Sequence, residues 1–198
     1  MKALVVYAHP LEDSFVAAAR DTAVEALRRA DHDVHLLDLY AEGFDPRLTT
    51  AEHAGHESGL MSRLDDEEVV RHARLLQWAE ILVLVYPTWW GAQPAILKGW
   101  FDRIWLEGVA YHLPAGSTRI RPGLRQIRRV VVVTTHGSSK FVNALQGEAG
   151  KHFVGRLVRS LVSRRARVQW IAQYDMDRST PELRAAFLER VSTELSTR

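Results

Sequence analysis

The 198-residue sequence predicts an α/β protein, a doubly wound five-stranded parallel sheet of order 2-1-3-4-5 with helices on both faces, in one domain. Three observations carry that expectation. Apolar, largely β-branched runs at Ala3 to Tyr7, Ile81 to Tyr86 and Val130 to Thr135 read as strands buried on both faces. Helical patterns fall between them, so strands and helices alternate. No segment repeats, which excludes solenoid and propeller architectures.

The first strand, Ala3 to Tyr7, leads into a turn, His9-Pro10-Leu11-Glu12-Asp13. Ser14 is placed to cap a helix whose apolar positions Phe15, Ala18, Ala19, Val24 and Leu27 share roughly one side. A second strand, Val34 to Leu39, completes a βαβ unit whose crossover is expected to be right-handed. Residues 41 to 65 lack sustained periodicity and hold Gly43, Pro46, Gly55 and Gly59. So long a connection reads as a lid, a dimer contact or a disordered stretch. A helix follows from Glu67 to Trp78, with Val70, Leu75 and Trp78 as its expected buried residues.

Next come the strand Ile81 to Tyr86 and the loop Pro87-Thr88-Trp89-Trp90-Gly91-Ala92-Gln93. Pro94 suits a helix's first turn because it has no N–H to leave unpaired. Ile96, Trp100 and Ile104 then recur at i, i+4 and i+8, with Leu97 and Phe101 beside them. Residues 106 to 128 are irregular, and the fourth strand, Val130 to Thr135, runs into His136-Gly137-Ser138-Ser139. A helix around Gly150 to Ser163 leads to a fifth strand near Arg167 to Ala172. The last helix opens at Ser179-Thr180-Pro181-Glu182.

Composition narrows the classes. An apolar share of 46% and a charged share of 25% are ordinary for a soluble domain. No cysteine is present, which excludes a disulfide framework and thiolate catalysis. The start, MKALVVYAHP, is too short an apolar run for a signal peptide, and no run approaches the about 18 apolar residues of a membrane span, so a cytoplasmic protein with no integral membrane segment is expected. Arginines cluster at Arg119, Arg121, Arg125, Arg128 and Arg129, and again at Arg156, Arg159, Arg164, Arg165 and Arg167. They read as solvated faces, and no nucleic-acid partner is expected. His53 and His56 have H-x-x-H spacing without an evident third ligand, so no metal is expected.

In an open α/β sheet the ligand crevice lies beyond the carboxyl ends of the strands, at the point where strand order reverses. The loops that converge there are His9 to Ser14, Pro87 to Gln93 and Thr135 to Ser139. Ser14 stands at a helix amino terminus, which favours a phosphate. Two adjacent tryptophans offer a wall for a flat ligand, the alternative being one in the core and one partly exposed. The third loop offers backbone N–H groups to a heterocycle's edge. Neither G-x-G-x-x-G after the first strand nor G-x-x-x-x-G-K-[ST] occurs, so the ordinary dinucleotide and P-loop fingerprints are absent and a flavin is the best candidate.

These residues carry a resemblance. Ala8-His9-Pro10 with Ser14-Phe15, Asp38-Leu39-Tyr40 with Phe44-Asp45-Pro46, the block Pro94-Ala95-Ile96-Leu97-Lys98-Gly99-Trp100-Phe101-Asp102-Arg103, and Leu145-Gln146-Gly147 resemble the flavodoxin-like NAD(P)H:quinone oxidoreductases, among them bacterial drug-activity modulators and potassium-efflux ancillary flavoproteins. The resemblance spans about residues 3 to 150. It implies hydride transfer from NAD(P)H through bound FAD or FMN, FAD slightly favoured, to a quinone-like acceptor. It implies that His9, Ser14, Phe15 and Val16 hold the flavin's phosphate, that Pro87, Thr88, Trp89, Trp90 and Gly91 line the isoalloxazine, and that Thr134, Thr135, His136 and Gly137 touch its other side. It implies further that Tyr111 faces the pocket shared by nicotinamide and quinone, in a homodimer, and that Asp102 corresponds to an acid near the adenosine of FAD.

The chain departs from the pattern at His136-Gly137, where better-known members have two glycines, and it lacks their tyrosine near Phe141 or Val142 and their histidine near Ala149. An alternative function is a redox-sensing ancillary subunit of a potassium-efflux antiporter. A flavodoxin-type electron carrier fits less well, because those are strongly acidic and have a Ser/Thr-rich loop after the first strand.

Overall fold

The computed structural model describes residues 1–53 and 66–197. Five strands form one parallel sheet: β1 (Lys2–Tyr7), β2 (Asp33–Asp38), β3 (Ile81–Pro87), β6 (Arg129–Thr135) and β7 (Arg167–Gln173). Their spatial order is β2-β1-β3-β6-β7. The numbering skips because 106–128, expected to be irregular throughout, holds a short antiparallel pair, β4 (Tyr111–His112) with β5 (Arg121–Pro122). Within the large sheet alone the order reads 2-1-3-4-5. β3 lies between β1 and β6 and is buried at all seven positions, because it is hydrogen-bonded on both edges and covered on both faces.

Alternate side chains of a strand point to opposite faces, which divides the core in two. Ala3, Val5, Ile81, Val83, Val131 and Val133 face α1 (Phe15–Arg29) and α6 (Pro181–Ser196), meeting Ala23, Leu27, Phe187 and Val191. Leu4, Val6, Leu82, Leu84, Val130 and Val132 face α2 (Glu67–Trp78), α3 (Ala95–Ile104) and α5 (149–161), meeting Leu76, Leu97, Trp100, Ile104 and Val158. Each fully buried leucine or valine contributes roughly 1.5–3 kcal/mol relative to exposure. A short helix, α4 (Lys140–Leu145), stands between β6 and α5.

Two expectations are corrected. In α2 the fully buried residues are Val69, His72, Ala73 and Leu76, whereas Val70, Leu75 and Trp78 are half-buried along the flank. Val69, Ala73 and Leu76 enter the core, and the larger Leu75 and Trp78 pack against its margin. The stretch read as one regular helix from Gly150 to Ser163 begins at Ala149 and carries a π-helical turn over Phe153–Val158. Among the described residues no helix is long and apolar enough to cross a membrane.

The blocks that carried the family resemblance pack on one another. A Cβ on Gly99 would stand 2.3 Å from the Pro46 carbonyl oxygen and 2.5 Å from its Cα, so α3 approaches the 44–46 loop as only glycine allows. One turn on, the buried Arg103 donates to the Asp45 carbonyl at 2.8 Å, to Glu52 at 2.8 Å and to Asp66 at 2.6 Å. Its guanidinium lies 5.2 Å over the Phe44 ring. Glu52 and Asp66 titrate low although burial opposes it, because backbone N–H groups and Arg103 hold their charged forms.

Candidate flavin site at the carboxyl end of the sheet

Three loops leave the carboxyl ends of β1, β3 and β6, and the β3 loop ties them together. Its Thr88 N–H donates to the Thr135 carbonyl at 2.8 Å, and Trp89 lies against His9 with ring centroids 6.0 Å apart. Trp89 and Ala92 exchange backbone hydrogen bonds of 3.0 and 3.1 Å around the two-residue turn Trp90-Gly91. Both central residues have positive φ, 51° and 76°. Such a turn asks for glycine at its second position, and Gly91 supplies it. Trp90 holds the same left-handed region with a bulky side chain, a strained arrangement that clusters at ligand clamps. Its indole is entirely exposed.

A pocket of about 400 Å³ opens beside this turn, lined by Thr88, Trp90, Gly91, His136, Gly137, Ser138, Asn143, Gln146 and Ala149. The N–H groups of Trp90, Gly91, Gly137 and Ser138 meet no acceptor among the described residues. Of the residues assigned to the isoalloxazine, the pocket gathers Thr88, Trp90, Gly91, His136 and Gly137. Pro87, Thr134 and Thr135 are buried in the strands beneath, and Trp89 turns toward the β1 loop.

His136 is buried and its ring stacks on Tyr174 at 4.6 Å. Its Nδ1 lies 2.7 Å from Asn143 Oδ1. Asn143 spends its amide N–H groups on Ser138 and Ser139, so its oxygen faces the ring and His136 must donate from Nδ1. Nε2 then carries the lone pair toward the Thr88 hydroxyl at 3.4 Å, and Thr88 in turn meets Thr134 at 3.0 Å. Burial pulls the His136 pKa below the ordinary histidine range, opposed by the Asn143 bond, so the ring is neutral at pH 7. Asn143 went unnoticed in the sequence because α4 reverses the usual pattern, exposing Phe141 and Leu145 and burying the amide. Gln146 stood in a quoted motif without a role.

On the β1 side, Ser14 Oγ accepts from the Ala17 N–H at 3.1 Å and caps α1. Phe15 packs on Phe187 at 5.7 Å and the Val16 side chain is buried, so both have only main chain to offer. Among the described residues their N–H groups meet no acceptor in the first turn, where the helix dipole favours an anion. His9 Nδ1 accepts from the Leu11 N–H at 3.1 Å, bracing the turn.

Tyr111 and Asp102 lie elsewhere. Both line a separate groove of about 420 Å³ with Phe101, Trp105, Ile120 and Leu157, and Asp102 accepts from Lys98 at 2.6 Å. His53 is described, and His56 lies outside the described residues. A larger groove of about 710 Å³, lined by His35, Arg71 and Trp78 among others, receives none of the three loops.

A five-stranded parallel sheet of this order, with a polar pocket and an exposed indole beyond the carboxyl ends of its central strands, places the chain in the flavodoxin-like α/β class. The model of a family described by its flavodoxin-like fold matches residues 1–162, and the chain belongs to that family. It is 34% identical over 163 residues to "NAD(P)H dehydrogenase [quinone] 1" of Cavia porcellus, covering 75% of this chain and 58% of that protein. It is 31% identical over 172 residues to "Ribosyldihydronicotinamide dehydrogenase-like protein traD" of Penicillium crustosum, covering 76% and 62%. The chain thus spans about three fifths of the length of these curated relatives. Among solved structures, an NAD(P)H:quinone oxidoreductase from Methanothermobacter marburgensis superposes with a TM-score of 0.81 at 26% identity, covering 100% of this chain and 98% of that one. An FMN-dependent NADH-azoreductase from Bacillus anthracis, solved with FMN, shares the fold at 17% identity and a TM-score of 0.79.

Proposed function

We propose that this chain is a flavin-dependent NAD(P)H oxidoreductase that passes hydride from NAD(P)H through a bound flavin to a quinone-like acceptor. The observation that carries the reading is the Trp90-Gly91 turn. It presents a fully exposed indole in a strained conformation beside a pocket with four unmatched backbone N–H groups. That donor set suits the carbonyl-bearing edge of an isoalloxazine, and the indole suits its face. The relatives named for quinone reduction support the same reading.

When bound, the flavin supplies the hydride-accepting and hydride-donating chemistry. The chain's own residues hold and shield it. The α1 N-terminus, through the Phe15 and Val16 N–H groups with Ser14 and His9 beside them, receives the phosphate. Thr88, Trp89, Trp90 and Gly91 flank the ring over Pro87, and Gly137 and Ser138 donate to its edge. Neutral His136, fixed by Asn143, keeps the Thr88 and Thr134 hydroxyls oriented at the pocket wall without bringing a charge.

The cofactor is FMN or FAD, since Asp102, the residue that favoured FAD, is already engaged with Lys98 in the other groove. The apolar groove holding Tyr111, with exposed Leu48, Ile120 and Leu157 around it, fits a second copy of the chain, so we infer a homodimer. Trp90→Ala tests the reading: flavin content or affinity should fall at least tenfold with the fold intact by circular dichroism. Unchanged flavin content with unchanged turnover would remove the turn from the site.

A further inference from the structure

The two arginine clusters come together in the fold. Backbone hydrogen bonds run from Leu124 to Leu161, from Ser163 to Ile127 and from Arg167 to Arg128, at 2.9 to 3.1 Å, so segment 124–129 lies alongside segment 161–167. Arg129 and Arg167 face each other as the first residues of β6 and β7. The shared surface is therefore at the amino ends of the strands, the end of the sheet away from the flavin loops.

Two of its arginines have structural tasks. Arg129 donates to the Thr197 and Glu194 carbonyls at the end of α6, and Arg159 to the Ser163 and Arg164 carbonyls at the end of α5. The side chains of Arg125, Arg128, Arg156, Arg164, Arg165 and Arg167 are exposed, and among the described residues none meets a carboxylate or any other acceptor. Arg156 and Arg164 also line a surface pocket of about 450 Å³ with Arg159 and Ser160. Ser160 donates its hydroxyl hydrogen to Leu157, leaving its oxygen lone pairs outward. The whole chain carries a formal net charge of only +2, so concentrating cations here leaves the rest of the surface net negative.

We propose that this face docks the protein on a bilayer rich in anionic phospholipid. Guanidinium groups pair with phosphate oxygens in a planar, bidentate manner, and clustered basic side chains are drawn to the negative potential of such a surface. A bilayer is favoured over nucleic acid by what surrounds the arginines. The exposed aromatics, Trp89, Trp90, Tyr40 and Phe141, all belong to the opposite end, and the aromatic nearest this face among the described residues, Trp78, is half-buried with its ring edge-on to His35, so the face offers no row of open rings on which successive bases could stack. Its arginines come from a loop, a helix end and a strand start and not from one helix that could enter a groove. The charge asymmetry would seat the amino ends of the strands on the lipid and leave the flavin pocket facing solvent. The inference goes beyond the proposed reaction and does not depend on it.

Flotation with vesicles of phosphatidylglycerol in phosphatidylcholine, against phosphatidylcholine alone, tests the docking. The full chain should bind the mixed vesicles at low ionic strength and be released by about 0.5 M salt. At about fivefold in partitioning per basic residue, the double variant Arg164→Glu/Arg165→Glu should bind at least about twenty-five-fold more weakly. Lys140→Glu/Arg178→Glu, the same charge change at the opposite end, should bind as the parent does. Circular dichroism checks that both fold, and Arg156→Gln/Arg164→Gln serves if the first does not. No binding to the mixed vesicles, or equal loss in both double variants, would overturn the proposal. Tighter binding to a single-stranded or duplex oligonucleotide at the same salt would overturn it in favour of nucleic acid.

Discussion

Gly99→Ala tests whether the family's most specific sequence block is a packing device. The added methyl would lie 2.3 Å from the Pro46 oxygen, 2.4 Å from its Cβ and 2.5 Å from its Cα. Ordinary carbon contacts are about 3.5–4.0 Å, so each is more than about 1 Å too short. Two of the three atoms are main chain, so a change at Pro46 cannot make room and the loop must move. That loop carries the Asp45 carbonyl that accepts from Arg103 at 2.8 Å. Overpacking costs about 1–3 kcal/mol, and a disturbed charge-assisted hydrogen bond about 1.5–3 kcal/mol more. Alanine's better helix propensity offsets about 1 kcal/mol. The net expectation is a loss of about 1.5–5 kcal/mol, a fall in Tm of roughly 3–20 °C for a chain of this size. Thermal and urea unfolding followed by circular dichroism would measure it. Gly155→Ala is the internal control, since a Cβ there meets nothing within 4 Å, and its stability should change by less than about 1 kcal/mol. A Gly99→Ala protein as stable as the parent would refute the reasoning.

Three further outcomes follow from the same contacts. Arg103→Met should cost about 3–5 kcal/mol in urea unfolding, because Glu52 would be left buried without its partner; a loss under about 1 kcal/mol would mean that the pair is dispensable. Ser14→Ala should destabilise the protein by about 1 kcal/mol through loss of the α1 cap and also weaken flavin affinity, whereas unchanged affinity would separate the cap from the phosphate site. Burial holds His72 and His136 below the ordinary histidine pKa, so the unfolded chain binds protons first as pH falls. Their contribution is complete above about pH 6.5 and lost below it, and the urea midpoint should drop between about pH 7 and pH 5. A midpoint that rises on acidification would contradict that sign.

The strands were legible because burial on both faces forces continuous apolar runs, and β3 and β6 show them without interruption. α2 was misread because its buried stripe, Val69, His72, Ala73 and Leu76, includes a small residue and a histidine, while Trp78 draws attention from the flank. The β4–β5 pair was invisible because two-residue strands have no period to detect. At the site, the three loops were readable from their place after apolar strands. Asn143 was not, because its burial depends on a hydrogen bond to a histidine seven residues away. The Pro94 to Arg103 block was read as a family mark, and the structure gives Gly99 and Arg103 a physical reason. The arginine clusters were read as separate solvated runs because only the pairing of β6 with β7 makes them one surface.

The central claim is flavin chemistry at the Trp90-Gly91 turn, and an absorption spectrum of the purified protein tests it most directly. Spectra would be recorded anaerobically before and after NADH or NADPH, with released cofactor identified by mass. The account predicts a yellow protein, or one that becomes yellow on reconstitution with FMN or FAD, and that bleaches with one of the two donors. A colourless protein that neither binds nor reduces added FMN or FAD would contradict it.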